Sequence, residues 1–292
     1  MEHSVQIGVN VPNFGPGTDP ATLERWARVV EGLGFDLLMV SDHVTVTPDV
    51  AEQYPSPFYE PFTTLAWLAG ITKRIRIGTT VLIMPYRHPL LTARMATSLH
   101  LLSGGRFVLG VGVGWARQEF EALGVPFNRR GAMTDDYLAA VRAHWDQDVA
   151  EHHGPFADFT GVHTAPRPDG LPIWVGGNSD AAMRRAIRYG DAWHPISFTM
   201  PWFREALVRL RAEGQVALAP RIKLRLTDTP LTAEDRRAGE GTLGQVSADL
   251  EELREFGAET VVLDPFGGDP EETRHPERHW SALATVIDQL KK

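Results

Sequence analysis

Short apolar, β-branched runs alternate with longer stretches of helical period through almost the whole chain, and this rhythm most restricts its fold. The runs lie at 5–11, 35–40, 74–84, 106–115, 172–177, 191–197, 221–229 and 259–266, with helical segments such as 20–33, 61–72 and 89–102 between them. Strand, helix and strand in repeated succession build a parallel sheet, because a parallel partner needs a crossover long enough to hold a helix. The segment 20–33 shows the logic in one element: Leu23, Trp26, Ala27, Val30 and Leu33 fall at helical spacing, Asp19-Pro20 opens it and Gly34 closes it. Eight runs in 292 residues predict an α/β fold, a (β/α)8 TIM barrel, with a doubly wound sheet as the competing architecture. Residues 146–171 are rich in Pro, Gly, His and aromatic residues and break the rhythm. They predict an insertion before the fifth strand, a hairpin or lid, within one domain spanning 1–292.

Composition narrows the chemistry. There is no cysteine, which removes disulfides, thiolate metal ligands and a cysteine nucleophile. The net charge of −8, with acids and bases interleaved, offers no broad basic surface for a phosphate backbone, so nucleic acid is not an expected partner. The opening "MEHSVQIGVNVPNF" lacks the basic start and unbroken apolar core of a signal peptide, and no run of 18 apolar residues occurs. The expectation is a cytoplasmic protein without a membrane partner.

In a parallel barrel the site lies where the strands end, so the residues that follow each apolar run are the candidates. They are Asn13-Phe14, Asp42-His43, Thr79-Thr80, Gly112 to Trp115, Gly176-Gly177-Asn178, Trp193-His194 and Asp264. "GVGVG" at 110–114 reads equally as a strand that permits tight packing and as a close approach to a cofactor, and it lacks the spacing of a dinucleotide fingerprint. In "VGGNSDAAMRRAIRYGD" two glycines end a strand and Asn178-Ser179-Asp180 open a helix, a place that suits a phosphate or is an ordinary capped turn. The histidines share no zinc spacing, so no metal is expected, and no GxSxG elbow occurs.

The segments "SDHV", "RIRIGTTVLIMPYRHP", "LSGGRFVLGVGVGWARQEFEALGVPFNRRG" and "PIWVGGNS" together closely resemble the bacterial luciferase-like monooxygenase superfamily, and within it the coenzyme F420 (deazaflavin) dependent oxidoreductases. The resemblance covers most of residues 5–200. It implies a (β/α)8 barrel that binds a flavin or deazaflavin at the strand ends and transfers a hydride to or from a small apolar substrate. Asp42 and His43 are thereby placed near the ring, with His43 as the catalytic residue. Thr79, Thr80 and Val81 fall at a bulge that backs the ring and commonly carries a non-proline cis peptide. Val113, Gly114 and Gln118 are placed against the ring or ribityl chain, and Gly176, Gly177 and Asn178 at the phosphate loop.

One departure stands out. Where the sugar-phosphate dehydrogenase branch has a glutamate this chain has Trp115, which with Phe14, Trp193 and His194 is expected to wall a substrate pocket, Tyr86 and His88 adjoining. Arg87 and Arg117 are candidate partners for the anionic deazaflavin tail. The alternatives are an FMN-dependent monooxygenase, supplied with reduced flavin by a partner reductase and using O2, and a cofactor-free barrel. A homodimer is the expected assembly.

Overall fold

The computed structural model describes residues 5–232 and 236–291. From the amino end come β1 (Gln6–Asn10), α1 (Pro20–Leu33), β2 (Leu37–Val40), α2 (Pro48–Ala51), α3 (Pro61–Ile71), β3 (Arg76–Thr79), β4 (Leu82–Ile83) and α4 (Pro89–Leu102). Then follow β5 (Phe107–Gly112), α5 (Arg117–Ala122), α6 (Arg130–Asp146), β6 (Val149–His153), β7 (Asp158–His163), β8 (Ile173–Gly176), α7 (Asp180–Tyr189), β9 (Ala192–His194) and α8 (Met200–Glu213). The last elements are β10 (Ala217–Leu218), β11 (Arg221–Lys223), β12 (Arg225–Leu226), β13 (Glu240–Gly241), α9 (Leu243–Glu255), β14 (Thr260–Asp264) and α10 (Pro276–Leu290).

The main sheet is parallel and runs β10-β9-β8-β5-β3-β2-β1-β14-β11, with β4 added beside β5. Its two ends are halves of one segment. Ala217 and Leu218 pair with Ala192 and Trp193, and Arg221 to Lys223 pair with Val262 to Asp264. The sheet therefore curls until residues 217–223 are bonded on both sides, and the eight expected runs become its staves. An open doubly wound sheet would leave its two edge strands in different segments.

Local chemistry accounts for the boundaries. In α1 the Asp19 carboxylate accepts from Thr22 N, Pro20 occupies the first turn, and Gly34 ends the helix at φ +91. The third run divides into β3 and β4 on either side of Thr80-Val81, a peptide bond that is cis. The run expected over 191–197 ends at His194, where Pro195 has no N–H to continue the ladder. The run expected over 221–229 leaves the barrel after Lys223, and its continuation β12 pairs with β13 instead. Residues 146–171 hold the antiparallel pair β6 and β7, tied to α6 through Asp136, which accepts from Phe156 N and Ala157 N at 2.9 Å each.

Side chains of successive strand residues point to opposite faces. Leu38 and Val40 lie in the larger core between sheet and helices, whereas Leu37 and Met39 join Val108, Trp174, Ala192, Ala219 and Val262 inside the curl. Two residues further along the same inner faces come His194, Arg221 and Asp264. The interior thus changes from apolar to polar toward the carboxyl ends of the strands. Among the described residues no helix is long and apolar enough to cross a membrane.

Candidate active site

A cavity of about 240 Å³ opens at this polar end, walled by residues that include Asp42, His43, Tyr54, Thr80, Val81, Val113, Trp115, Gly177, Ile196 and Arg221. A larger hollow of about 620 Å³ lies between α3 and α4, but its lining is mainly aliphatic and far from the strand ends. We place the site in the smaller one because titratable groups from several strands converge there.

His43 follows β2 and is 5% exposed. Its Nδ1 lies 2.6 Å from Glu119 Oε2, a carboxylate on α5 that is itself fully buried. A carboxylate only accepts, so Nδ1 carries the proton and Nε2 is the atom left to meet a ligand. Glu119 is held from every side: Val44 N and Thr45 N donate to Oε1 at 2.7 and 3.0 Å, and the Tyr86 hydroxyl to Oε2 at 2.9 Å. Burial acts to raise its carboxyl, but the His43 ring and the Thr45 amide override this and hold it below the usual range. Burial, reinforced by Glu119, pushes the Tyr86 phenol up, so it stays a donor.

Asp42 lines the cavity, but its carboxylate is taken up by protein partners. Arg87 grips it through two hydrogen bonds of 2.7 and 2.9 Å, and Ile83 N donates to it at 2.9 Å. It fixes the start of β4 beside the cavity. Arg87 also reaches Glu60 at 3.0 Å, which leaves it matched by two carboxylates.

The opposite wall is built from Thr80, His194, Arg221 and Asp264. Thr80 Oγ1 is 2.8 Å from His194 Nε2, and His194 Nδ1 makes a short contact to the Ala219 carbonyl. His194 is fully buried, and burial lowers its pKa to about 4, so the ring is neutral. Arg221 donates to the Thr80 carbonyl at 2.9 Å and to Asp264 at 2.7 Å. Lys223 reaches the same Asp264 oxygen at 2.9 Å, and Asn10 Nδ2 the other at 3.1 Å. Burial works to raise Asp264, but the Arg221 and Lys223 charges prevail and hold it at about 2.

Between the walls, Val81 forms the floor. A Cβ on Gly112 would come within 2.5 Å of its Cγ2, and one on Gly176 within 2.7 Å of its Cγ1. These glycines therefore make room for Val81. Gly114, at φ +77, is a different case: a Cβ there would meet Ile83 at 2.7 Å and Phe120 at 2.8 Å.

The model of the family described as luciferase-like monooxygenase matches residues 5–238. The chain belongs to that family. An uncharacterized protein of Mycobacterium tuberculosis is 36% identical over 180 residues, which cover 57% of this chain and 62% of the relative. A phthiodiolone/phenolphthiodiolone dimycocerosates ketoreductase of the same species is 36% identical over 205 residues, 64% of this chain and 53% of the relative. The match thus spans little more than half of the ketoreductase's length. Among solved structures, a monooxygenase from Streptomyces bottropensis superposes with TM-score 0.77 at 20% identity, covering 99% of this chain and 100% of the other. A coenzyme F420 dependent tetrahydromethanopterin reductase from Methanopyrus kandleri gives 0.76 at 17% identity, with 99% of each chain covered. These likenesses place the fold.

Within this luciferase-like fold most of the expected site residues gather at one cavity. Asp42, His43, Thr80, Val81, Val113, Gly114, Trp115, Gly176 and Gly177 line it. Thr79 sits behind it, its hydroxyl donating to the Gly110 carbonyl at 2.6 Å. His194 lies one hydrogen bond away through Thr80. Others are engaged elsewhere. The Gln118 side chain accepts from Asp49 N at 3.3 Å, and Asn178 exchanges hydrogen bonds with the Ile196 backbone. Trp193 stacks on Phe203 in the helix layer, since it alternates with the inward His194. Phe14 packs among Tyr54, Phe58 and Phe266 behind the cavity wall. His88 caps α4.

The groups that sequence reasoning passed over are Glu119, Tyr54 and Arg221. Glu119 lies in "WARQEFEAL", where it is one of two acids on a short helix and nothing local marks it as buried. Arg221 did leave a signal. In "RIKLRL" charged residues alternate with apolar ones, and in a curled sheet with an apolar outer layer the charged set must face inward.

Proposed function

We propose that this luciferase-like chain is an oxidoreductase that binds a deazaflavin of the coenzyme F420 type at the strand-end cavity. The reading takes it to move a hydride to or from a small organic substrate. The observation that carries it is the His43–Glu119 pair, facing a cavity floored by Val81 beside two glycine-containing strand ends. When bound, the deazaflavin supplies a two-electron hydride donor or acceptor. The protein's own residues then have distinct tasks. His43 holds or moves a proton at Nε2, with its Nδ1 fixed by Glu119. Trp115 closes the apolar side, and the free N–H groups at the start of α7 suit a phosphate.

Three features support an anionic deazaflavin tail. Arg117 and Arg130 both stack on Phe127, at 4.2 and 4.0 Å from the ring centroid, and Arg129 on Phe156 at 5.0 Å. No carboxylate pairs with any of the three among the described residues. Arg130 also donates to the carbonyl of Gly114 at 3.2 Å, which puts the cluster at the cavity rim. Similarity to a ketoreductase favours hydride transfer over oxygen insertion. The same reading takes the chain as a single-domain cytoplasmic enzyme, with a separate reductase renewing the cofactor. It also takes two copies to pair through α3 and α4, where Trp67, Leu91, Leu101 and Leu102 are exposed beside the 620 Å³ hollow.

Titration with oxidised deazaflavin and with FMN, followed by fluorescence, tests the reading. Micromolar binding of the deazaflavin, and at least tenfold weaker binding of FMN, is the expected result. The reverse order transfers the site to a flavin monooxygenase, and binding of neither ends the reading.

A further inference from the structure

Apart from His43 Nε2, the cavity's side-chain and carbonyl acceptors described above are engaged, while donors are left to spare. Both Asp42 oxygens are taken by Arg87 and Ile83, the Thr80 carbonyl and hydroxyl by Arg221, and the Gly177 carbonyl by Trp193 Nε1 at 2.9 Å. Against these stand Arg221, whose Nε–H has no partner among the described residues, and Tyr54, whose hydroxyl has none either. A guanidinium carries five N–H donors in a planar fork, so unmet donors at the wall favour a ligand rich in acceptors.

Charge points the same way. Arg221 and Lys223 have side chains only 11% and 17% exposed, and among the described residues they share one carboxylate, Asp264. His194 beside them is neutral and Tyr54 is kept protonated by burial, so neither cancels the excess. A nearly buried net positive charge is costly unless something meets it, and Arg221 is the member of the cluster that reaches the cavity.

We propose that Arg221 is a binding residue for a carbonyl or carboxylate oxygen, one that carries negative charge or acquires it when hydride arrives. The inference rests on the oxidoreductase reading for the second alternative only. As hydride reaches a carbonyl carbon, the π electron pair moves onto oxygen, the reduced deazaflavin acting as donor is oxidised by two electrons, and a proton from water, direct or relayed through His43 Nε2, completes the alcohol. Arg221 stabilises the oxygen while it is charged, as preorganised donors do elsewhere. That oxygen belongs either to the substrate or to the carbonyl edge of the cofactor ring.

Calorimetric titration of the cofactor-free protein with benzoate and with benzyl alcohol, a charged and a neutral ligand of similar shape, reads the site directly. Benzoate is expected to bind at least tenfold more tightly, with the preference lost in Arg221→Gln and partly kept in Arg221→Lys. Lys223 still neutralises Asp264 in both variants, and a melting curve checks that they fold. No benzoate binding, equal affinities, or a preference that survives in Arg221→Gln overturns the proposal.

Repeating the titration with oxidised deazaflavin bound separates the two sources. If Arg221→Gln weakens benzoate and leaves ring affinity unchanged, the oxygen is the substrate's. If it weakens the ring tenfold, and bound ring excludes benzoate, the oxygen is the ring's. Failure of wild type to bind deazaflavin at all ends the cofactor reading while the benzoate result still decides the role of Arg221.

Discussion

The two polar walls of the cavity are built on opposite principles. On the β2 and α5 side each buried carboxylate has its own partner: Glu119 meets His43, and Asp42 meets Arg87. On the β11 and β14 side one carboxylate serves two cations. The first wall is closed on itself and presents a single atom, His43 Nε2, which is open to accept or pass on a proton. The second is open and presents charge. A site for hydride transfer needs both, because the proton and the developing negative charge appear on different atoms. Under the proposed oxidoreductase reading, proton handling falls to one wall and charge stabilisation to the other.

The most severe way to break the contrast is Asp264→Asn. It leaves Arg221 and Lys223 buried together without a counter-charge, and breaking a buried pair costs about 3 to 5 kcal/mol. Guanidinium chloride unfolding should show a loss of that order. The double variant Asp264→Asn/Lys223→Met should recover part of it by removing one of the stranded charges. An unchanged midpoint in the single variant would mean that the cluster is more solvated than its burial indicates.

Acid titration should unfold the charged wall in two stages. His194 sits at about 4 when folded against 6.5 ordinarily, so the unfolded chain takes up its proton first. Stability from this group is full above about pH 6.5 and falls as pH drops toward 4, by about 3 kcal/mol in all. Asp264, at about 2 against 3.8, adds a loss of about 2 kcal/mol as pH falls from roughly 4 through 2. His194→Gln should flatten the upper window and leave the lower one. Denaturant midpoints from about pH 7 down to about pH 2 measure both, and an unaltered upper window would refute the role of His194.

The paired wall is probed by Glu119→Gln, which keeps the shape but loses the charge opposite His43. Outer partners that orient a metal-bound histidine are worth about 10- to 100-fold, and an effect of the same order is taken for His43. The expected outcome is a fall of that size in kcat with KM and cofactor affinity little changed, together with an altered acid limb of the pH profile. A parallel loss of cofactor binding would instead make Glu119 a structural strut.

How much of this was legible beforehand depends on what each feature uses. The staves, the α1 boundaries and the convergence of His43, Thr80 and Gly177 follow from period, caps and strand ends, all local in sequence. Arg221 and Asp264 were visible as residues, but their pairing joins positions 43 apart across a curled sheet, and only closure brings them together. Glu119 was harder still, because its partner lies 76 residues earlier and its own helix is short. Trp193 was expected in the pocket and lies in the helix layer because a strand ending at His194 puts one of the pair inward and the other outward. An acid or base at the end of a strand is thus readable as a candidate, whereas its counter-charge is not.

The smallest expected effect lies outside both walls, at the arginines around Phe127. Arg117 and Arg129 are exposed and Arg130 is half-buried, so each contributes modestly, about 0.5 to 1 kcal/mol for a cation at an exposed site, and salt screens it over about 10 Å at 0.1 M. Arg117→Gln should weaken a deazaflavin carrying its anionic tail by a few-fold and leave the tail-less ring alcohol unaffected. Raising the salt concentration should reduce the wild-type affinity toward that of the variant. Because Arg117 makes no hydrogen bond to the cavity wall among the described residues, this variant leaves the balance of the two walls intact. Equal weakening of tailed and tail-less ligands would move Arg117 from the tail to the ring and merge the rim with the cavity it borders.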